Sequence, residues 1–287
     1  MFNRWFRRSP RFDNTIMGIN ERNVRMIYPN NHRSNYKFAD DKILAKQLLE
    51  QHGLACPVTY ATISRIGDIE TVWRSLNHQH HLVIKPAKGR GGGGILVLTK
   101  TETGWKQGAQ IWAESQIFSH MANIMFGVFS FGDSDRVIIE KKITPHTDLL
   151  ALFDKGVADI RIIMLHGQPV MAMLRLPTST SKGKANLHQG GLGVGICMHT
   201  GTLTYAYNGS SYTSFHPDSK APIRGTQLPE WNSILTLSKA VSQVFPLKYM
   251  GIDIVIDAHE GPMVLEVNVR PGLGIQMANH KSLKEVI

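Results

Sequence analysis

Three oxygen-bearing side chains near the C-terminus have a spacing suited to binding a divalent metal ion. Glu266 and Asn268 are two residues apart in the segment "PMVLEVNV", so on a strand they point to the same face. If this segment pairs with "GIDIVID" through a turn near residue 260, Asp253 lies opposite them. Mg²⁺ prefers hard oxygen ligands of this kind, with phosphate oxygens and waters completing its coordination. An ordinary polar sheet face has the same spacing, so both interpretations stay open.

The glycine-rich segment "KPAKGRGGGGILVL", residues 85–98, is a second candidate site. Short aliphatic runs on both sides of it predict two strands joined by a hairpin with a bare tip. Glycine lets backbone N–H groups approach a ligand closely, and such groups beside lysines can bind phosphate. The segment matches neither the Walker pattern nor G-x-G-x-x-G at the start of a helix. A mobile surface loop is the alternative.

Two basic residues lie inside predicted strands, where an unpaired charge would be costly. Lys85 stands between "HLVI" and Pro86, and Arg175 stands in "MAMLRLP". Both therefore favour a functional role. Lys42, on a predicted helix, would by itself be interpreted as a solvated side chain.

These residues must be positioned by helices and strands, which the sequence pattern predicts in alternation. Helices are expected at 40–53, 67–77, 109–129 and 228–245. Strands are expected at 56–64, at 136–143, at 157–177 (two strands about residues 166–167) and in the C-terminal hairpin. Helices interspersed with antiparallel hairpins predict an α+β fold rather than a regular βαβ series.

The net charge of +10 is concentrated at the N-terminus. Residues 1–37 contain eight Lys or Arg and two acidic residues, a net charge of +6, and "MFNRWFRRSPRF" alternates aromatic residues with arginines. Such an arm could bind an anionic membrane surface, an acidic protein or nucleic acid. The favoured alternative is a solvated basic arm whose aromatic residues pack on its own domain.

Composition excludes several other classes. The 287 residues are 42% hydrophobic and 19% charged, as in a soluble globular protein. No apolar run is long enough for a membrane span, and no signal peptide is evident, so a cytoplasmic protein is expected. Two distant cysteines predict neither a disulfide framework nor a zinc site.

Residues 40–287 resemble the ATP-grasp superfamily, and within it the RimK-type α-L-glutamate ligases. Seven segments follow in the order of that family: "DDKILAKQLLEQHGLACPVT", "VIKPAKGRGGGG", "IIEKKI", "DIRIIMLHGQPVMAMLR", "KANLHQGG", "GIDIVI" and "LEVNVRPG". The stretch "FHPDSKAPIRGTQLPEW" is similar to the branch called sugar-transfer-associated ATP-grasp.

The resemblance implies a role for each matching residue. The ATP phosphates would be contacted by Lys42 and Lys85 and covered by Gly91, Gly92, Gly93 and Gly94, and the adenine would be edged by Glu140, Lys141 and Ile143. The nucleotide or acceptor side would carry Asp159 and Arg161, and the transferring phosphoryl group would meet Arg175 and Asn186. Mg²⁺ or Mn²⁺ would be held by Asp253, Glu266 and Asn268, and the substrate carboxylate or acyl phosphate would be bound by Arg270.

The resemblance also implies the architecture and the activity. Two α+β lobes, residues 39–143 and 144–287, would enclose ATP, with a basic arm at 1–38 where the family usually has a full N-terminal domain. The activity would be ATP-dependent ligation of a carboxylate to an amine through an acyl phosphate. It would add glutamate or a similar amino acid to a peptide, protein or cell-surface glycan precursor. The family usually has an acidic residue at the hinge where this chain has Lys141 and Lys142.

Other interpretations remain beside this one. The chain could be a nucleotide-binding regulatory module without turnover, or it could bind a membrane or nucleic acid through residues 1–37. Nucleic acid is the less favoured partner, and peripheral attachment to a membrane is compatible with the basic arm. A homo-oligomer is compatible with the sequence, which does not specify an oligomeric state.

Overall fold

The computed structural model of the chain describes residues 16–89 and 91–287, which form two antiparallel sheets with helices packed on them. This confirms the predicted α+β fold. The first 15 residues, with most of the aromatic and arginine-rich part of the predicted arm, lie outside the described residues. Within the described ranges, no helix has the length and apolar character needed to cross a bilayer.

The first sheet carries the glycine-rich hairpin and has the strand order β1-β6-β2-β3-β4-β5. Its strands are β1 (Thr59–Ile63), β2 (His81–Pro86), β3 (Leu96–Thr101), β4 (Gly104–Gln107), β5 (Gln110–Trp112) and β6 (Val137–Lys141). The β2–β3 hairpin is paired as predicted, with Leu82 opposite Leu98. Trp73 and Trp105, with ring centroids 5.0 Å apart, lie in the core beneath this sheet.

The second sheet carries the predicted metal-binding hairpin and has the order β11-β10-β9-β8-β7-β12-β13. Its strands are β7 (Asp159–Leu165), β8 (Gln168–Leu176), β9 (Leu192–Ile196), β10 (Leu203–Tyr207), β11 (Tyr212–Thr213), β12 (Tyr249–Asp257) and β13 (Gly261–Asn268). The two strands expected at 157–177 are thus present and turn at His166 and Gly167. The largest hydrophobic core of the described residues lies against this sheet.

Nine α-helical segments of the described chain connect or cover the sheets. They are α1 (Ile19–Arg22), α2 (Tyr28–Asn30), α3 (Lys37–Asp40), α4 (Lys42–Gln51), α5 (Ile69–Ser75), α6 (Glu114–Met125), α7 (Thr147–Leu152), α8 (Trp231–Val244) and α9 (Gly274–Asn279). Asp41 caps α4, because its carboxylate accepts hydrogen bonds from the backbone N–H groups of Ile43 (3.0 Å) and Leu44 (3.4 Å). This cap fixes the position of Lys42 in the first turn.

The prediction of one helix over 109–129 was wrong in its first part. Residues 110–112 form β5, which pairs with β4 so that Trp105 lies opposite Trp112, and the helix begins at Glu114. "QIW" carries apolar residues at a spacing that fits either structure, and pairing with a neighbouring strand decides between them.

Helix α4, which the sequence prediction assigned to the first lobe, contacts both sheets. Its Ile43 packs with Ala87 and Ile138 beside the first sheet. Ala45 and Leu49 of this helix are buried in the core of the larger sheet, and the helix contacts α8 and β13. The described part of the predicted arm, residues 16–38, packs there as well, with Met26 and Ile27 in the same core.

The hinge between the sheets follows β6 and is tied to the turn between β12 and β13. Thr144 donates its backbone N–H to the Asp257 carboxylate (2.8 Å), and the side chains of Lys141 and Glu260 form an ion pair. Asp257 also accepts the N–H groups of His259 and Glu260. Burial by itself would raise the pKa of this carboxyl, but the three N–H donors outweigh burial and lower the pKa.

Candidate functional site

The C-terminal hairpin places the three predicted metal ligands at one end of the ribbon. Asp253 lies opposite Glu266, and Asn268 lies opposite Gly251, with an irregular register step between Asp253 and Ile254. The Asn268 side-chain amide donates to the Asp253 carboxylate at 3.2 Å. The arrangement expected from the spacing is therefore present, and the chain turns at residues 258–260.

Asp253 is held by two arginines from the neighbouring strands. Arg161 on β7 forks onto both carboxylate oxygens (2.7 and 2.6 Å), and Arg175 on β8 donates to one of them (2.7 Å). Burial by itself would raise the pKa of Asp253, but the two guanidinium groups outweigh burial and lower it to about 2. Asp253 is therefore a carboxylate across the whole physiological pH range.

Asp159, the first residue of β7, completes this buried network. It pairs with Arg175 and is 6% exposed. Burial raises its pKa to about 6, and the nearby charge of Asp253 adds to this, while Arg175 opposes the rise. The network thus contains two carboxyl groups whose pKa values are pushed in opposite directions, an arrangement that is common at functional sites.

Lys42 joins the glycine-rich hairpin to the metal-ligand ribbon. Its ammonium donates to the Gly89 carbonyl (2.7 Å) and pairs with the Glu266 carboxylate (3.0 Å). One side chain from the start of α4 therefore contacts the first sheet's loop and the second sheet's last strand. The two candidate sites seen in the sequence therefore lie on either side of the Lys42 ammonium.

Lys85 is buried in an ion-pair cluster with Glu140 and a third residue, Lys46. Each carboxylate oxygen of Glu140 is 2.6 Å from one of the two ammonium groups, and Lys46 also donates to the Pro57 carbonyl (2.5 Å). Burial lowers the pKa of Lys85, and the charge of Glu140 opposes this. Sequence reasoning missed Lys46, although it lies four residues after Lys42 on the same helix face.

Of the three residues expected at the adenine edge, the structure fully buries one. Glu140 is 2% exposed and its carboxylate is occupied by the two lysines, whereas Lys141 and Ile143 are half-buried at the end of β6 and just beyond it. Lys141 uses its ammonium for the ion pair with Glu260.

The tip of the glycine-rich hairpin meets a loop of the second lobe. Gln189 donates its side-chain amide to the Gly91 carbonyl (3.1 Å), and a Cβ at Gly91 would be 3.9 Å from the Asn186 amide nitrogen. Gly91, Gly92 and Gly94 have φ of +62°, +74° and +75°, which favour glycine, whereas Gly93 does not need this freedom. Gln189 was not expected from the sequence.

Arg270 lies two residues beyond Asn268 and faces the N-terminal segment, by which we mean residues 16–40. Its guanidinium is 4.9 Å from the centre of the Tyr36 ring and 3.6 Å from the Asp40 carboxylate. Arg270 is therefore placed next to the predicted metal-ligand strand but outside the buried Arg161–Asp253–Arg175 network.

The residues present fit a divalent metal ion in part. Glu266 and Asn268 supply hard oxygen atoms near one another on one strand, as Mg²⁺ requires. Both oxygens of Asp253, however, accept hydrogen bonds from guanidinium groups, Oδ1 from Arg161 and Oδ2 from Arg161 and Arg175. Asp253 would therefore have to release a donor in order to coordinate a metal directly. Within the described residues, no group of three or more His, Cys, Asp or Glu side chains forms a metal site.

Comparison with known families assigns the chain by its sequence. The model of the sugar-transfer associated ATP-grasp family matches residues 21–287. The chain belongs to this family. The match begins within the described N-terminal segment, so residues 21–38 of the predicted arm lie within the family match.

The curated relatives of this ATP-grasp chain include proteins named as ligases. It is 25% identical over 262 residues to a probable alpha-L-glutamate ligase of Pseudomonas putida (strain GB-1), a match that covers 91% of this chain and 66% of the relative. A probable alpha-L-glutamate ligase of Methanococcoides burtonii is 27% identical over 263 residues, with the same coverage. The chain thus spans just under two thirds of the length of these relatives.

One solved structure supports the fold, and a second is a weaker match. The D-alanyl-alanine synthetase A of Vibrio cholerae has a TM-score of 0.50 at 14% identity, covering 87% of this chain and 62% of that one. A D-alanine–D-alanine ligase from Bacillus anthracis matches 82% of this chain and 58% of that one, with a TM-score of 0.45 at 18% identity.

Proposed function

We propose that this ATP-grasp protein is an ATP-dependent carboxylate–amine ligase that joins glutamate or a similar amino acid to a peptide, protein or glycan precursor. The observation that carries the proposal is the position of Lys42, whose ammonium contacts both Gly89 and Glu266. Family membership and the names of the curated relatives support the reaction class.

The reaction follows from the charges at the site. A carboxylate does not react with an amine at neutral pH, so an oxygen of the substrate carboxylate first attacks the γ-phosphorus of ATP, and ADP leaves. The amine then attacks the carbonyl carbon of the acyl phosphate, a proton is lost from nitrogen, and phosphate leaves. In this scheme Lys42, Lys85 and Arg175 neutralise charge on the transferring group.

Mg²⁺, when bound through Glu266 and Asn268, would neutralise phosphate charge and align the phosphoryl group. Mn²⁺ would suit the same oxygen ligands. Arg161 has a different role in this scheme. Its bidentate contact holds Asp253 ionised and fixed beside Asn268.

The proposal is tested by following ADP and phosphate in the presence of amino acids and short acidic peptides. We expect Glu266→Gln to lower turnover by at least about 100-fold, because the substitution removes the only negative charge of the proposed Glu266–Asn268 ligand pair, so that the divalent ion and the phosphate charge that it neutralises are held less tightly. Glu260→Gln is the matched control, since Glu260 lies on the same hairpin and pairs with Lys141 at the surface.

Two results would contradict the ligase assignment. They are AMP as the product and nucleotide binding without turnover for any amine and carboxylate pair. A Glu266→Gln protein as active as the control would contradict the metal-binding role of Glu266 alone. Failure of turnover would leave only nucleotide binding and would favour a regulatory nucleotide-binding module. Cytoplasmic location, membrane contact through residues 1–37 and self-association remain predictions from the sequence.

A further inference from the structure

A cavity of about 490 Å³ lies between the N-terminal segment and Arg270. Its lining includes Asn23, Tyr28, His32, Arg33, Tyr36 and Arg270. The volume is in the range of small-molecule sites, and the walls carry two guanidinium groups together with several hydrogen-bonding side chains. Among the described residues, the ion pairs of the cavity-lining side chains include one carboxylate, that of Asp40, which lies 3.6 Å from the Arg270 guanidinium.

The cavity adjoins the predicted reaction centre. Arg270 follows the metal-ligand residue Asn268 by two positions, so their Cα atoms are at most about 7 Å apart. Asp40, the ion-pair partner of Arg270, directly precedes Asp41, which caps the helix that carries Lys42. The cavity therefore lies close to the strand that carries the proposed metal ligands and to the helix that carries Lys42.

The wall formed by the N-terminal segment is held rigidly against the second lobe. Asn31 accepts the backbone N–H groups of Lys248 (2.9 Å) and Tyr249 (3.1 Å) and donates to the Tyr249 carbonyl (2.6 Å). Residues 23–27 form a π-helix, a rare conformation that occurs frequently at functional sites, and Asn23 and Ile27 of this turn line the cavity.

Positive charge is concentrated at this wall beyond what the protein itself neutralises. Arg22, behind the cavity, is 7% exposed and donates to the Pro271 carbonyl (2.8 Å). Burial lowers the pKa of Arg22, and the nearby charge of Arg270 lowers it further, while Tyr249 opposes the change. Within residues 16–89 and 91–287, Arg33 forms no ion pair, so its guanidinium can bind an anion.

We propose that this cavity binds the anionic end of the second substrate, a carboxylate or a phosphate group, through Arg33 and Arg270. This inference rests on the ligase function proposed above. Arg270 is held in place by the Tyr36 ring, and Arg33 supplies a second guanidinium that can fork onto an oxyanion. The N-terminal segment thereby positions the second substrate beside the metal-ligand strand.

The full chain is first saturated with ADP and Mg²⁺ so that the nucleotide site is filled. It is then titrated with L-glutamate in one series and with inorganic phosphate in another. Isothermal calorimetry gives the Kd of each anion for the wild type, for Arg33→Ala and for Arg33→Lys. We expect Arg33→Ala to weaken binding by about 10-fold or more, and Arg33→Lys to recover part of it, because a charge-assisted hydrogen bond is lost and then partly restored. Arg65→Ala is the control, since Arg65 is exposed and pairs with Asp68 away from the cavity.

The two anions distinguish the sources of the recognised group. Tighter binding of glutamate supports a carboxylate substrate, and tighter binding of phosphate supports a phosphorylated one. Failure of both anions to bind the wild type, or an Arg33→Ala protein that binds them as tightly as the wild type, would overturn the assignment.

The outcome separates this inference from the proposed reaction. If the protein ligates a carboxylate to an amine and Arg33→Ala leaves the KM of both substrates unchanged, the cavity assignment fails and the ligase stands. If anion binding depends on Arg33 but ATP is neither bound nor hydrolysed, the cavity is an anion site and the ligase proposal fails.

Discussion

Replacement of Glu140 by glutamine is expected to destabilise the first lobe strongly. The Glu140 side chain is 3% exposed, and its two oxygens are each 2.6 Å from a lysine ammonium, that of Lys46 or that of Lys85. The amide would leave two buried ammonium groups without a counter-charge. Breaking a buried pair in this way costs about 3–5 kcal/mol of the free energy of unfolding.

The loss in the free energy of unfolding caused by Glu140→Gln should depend on pH, and the pKa of Lys85 decides the direction of this dependence. Burial already lowers the pKa of this lysine, and loss of the Glu140 charge would lower it further. Between that lowered pKa and the value in the unfolded chain, the unfolded state binds more protons, so the free energy of unfolding rises with pH. The destabilisation by Glu140→Gln should therefore shrink as the pH is raised from about 7 to about 10.

Urea unfolding followed by tryptophan fluorescence can measure the effect, because Trp73 and Trp105 are both in the core of this lobe. Glu260→Gln is the matched control. Its partner Lys141 is 44% exposed and Glu260 is 38% exposed, so the loss should stay below about 1 kcal/mol. A Glu140→Gln protein within about 1 kcal/mol of the wild type at pH 7 would refute the reasoning about the buried cluster.

Two further predictions concern Asp159, in the buried arginine–carboxylate network, and the glycine-rich hairpin. The pKa of Asp159, about 6 in the fold, lies above its ordinary value of 3.8, so the folded state keeps a proton that the unfolded state has lost. The free energy of unfolding should thus fall by up to about 3 kcal/mol as the pH rises from about 4 to about 6. Asp159→Asn should remove most of this fall. A variant whose stability depends on pH as that of the wild type does would contradict the assignment of the fall to Asp159. A Cβ at Gly94 would be 2.7 Å from two ring carbons of Phe129, whereas at Gly92 the nearest heavy atom would be 4.0 Å away. Gly92→Ala should cost about 1–2 kcal/mol for its positive φ alone and Gly94→Ala distinctly more, as thermal unfolding of the pair would show; equal losses would argue against the contact with Phe129.

Short-range patterns were sufficient for much of the fold. Alternation of apolar residues on either side of the glycine run predicted the β2–β3 hairpin, and the two-residue spacing of Glu266 and Asn268 predicted a shared strand face. The structure has both features at the expected places. Residues 110–112 were misassigned because three residues are too few for a period, and pairing with β4 decides their conformation.

By itself, the sequence determined the strands and helices on which the candidate residues lie, because strand and helix periodicity depends on neighbours a few positions apart. Tertiary structure alone decided the partners of those residues. Lys46 and Glu140 are separated by 94 residues, and Arg175 and Asp253 by 78, yet each pair shares a buried ion pair. Contacts of that separation depend on how two lobes close and how strands are ordered in a sheet. A local sequence pattern does not specify how the lobes close or how the strands are ordered. Closing a loop of this length costs a similar conformational entropy for many alternative partners, so the packing of the cores selects the pair that forms.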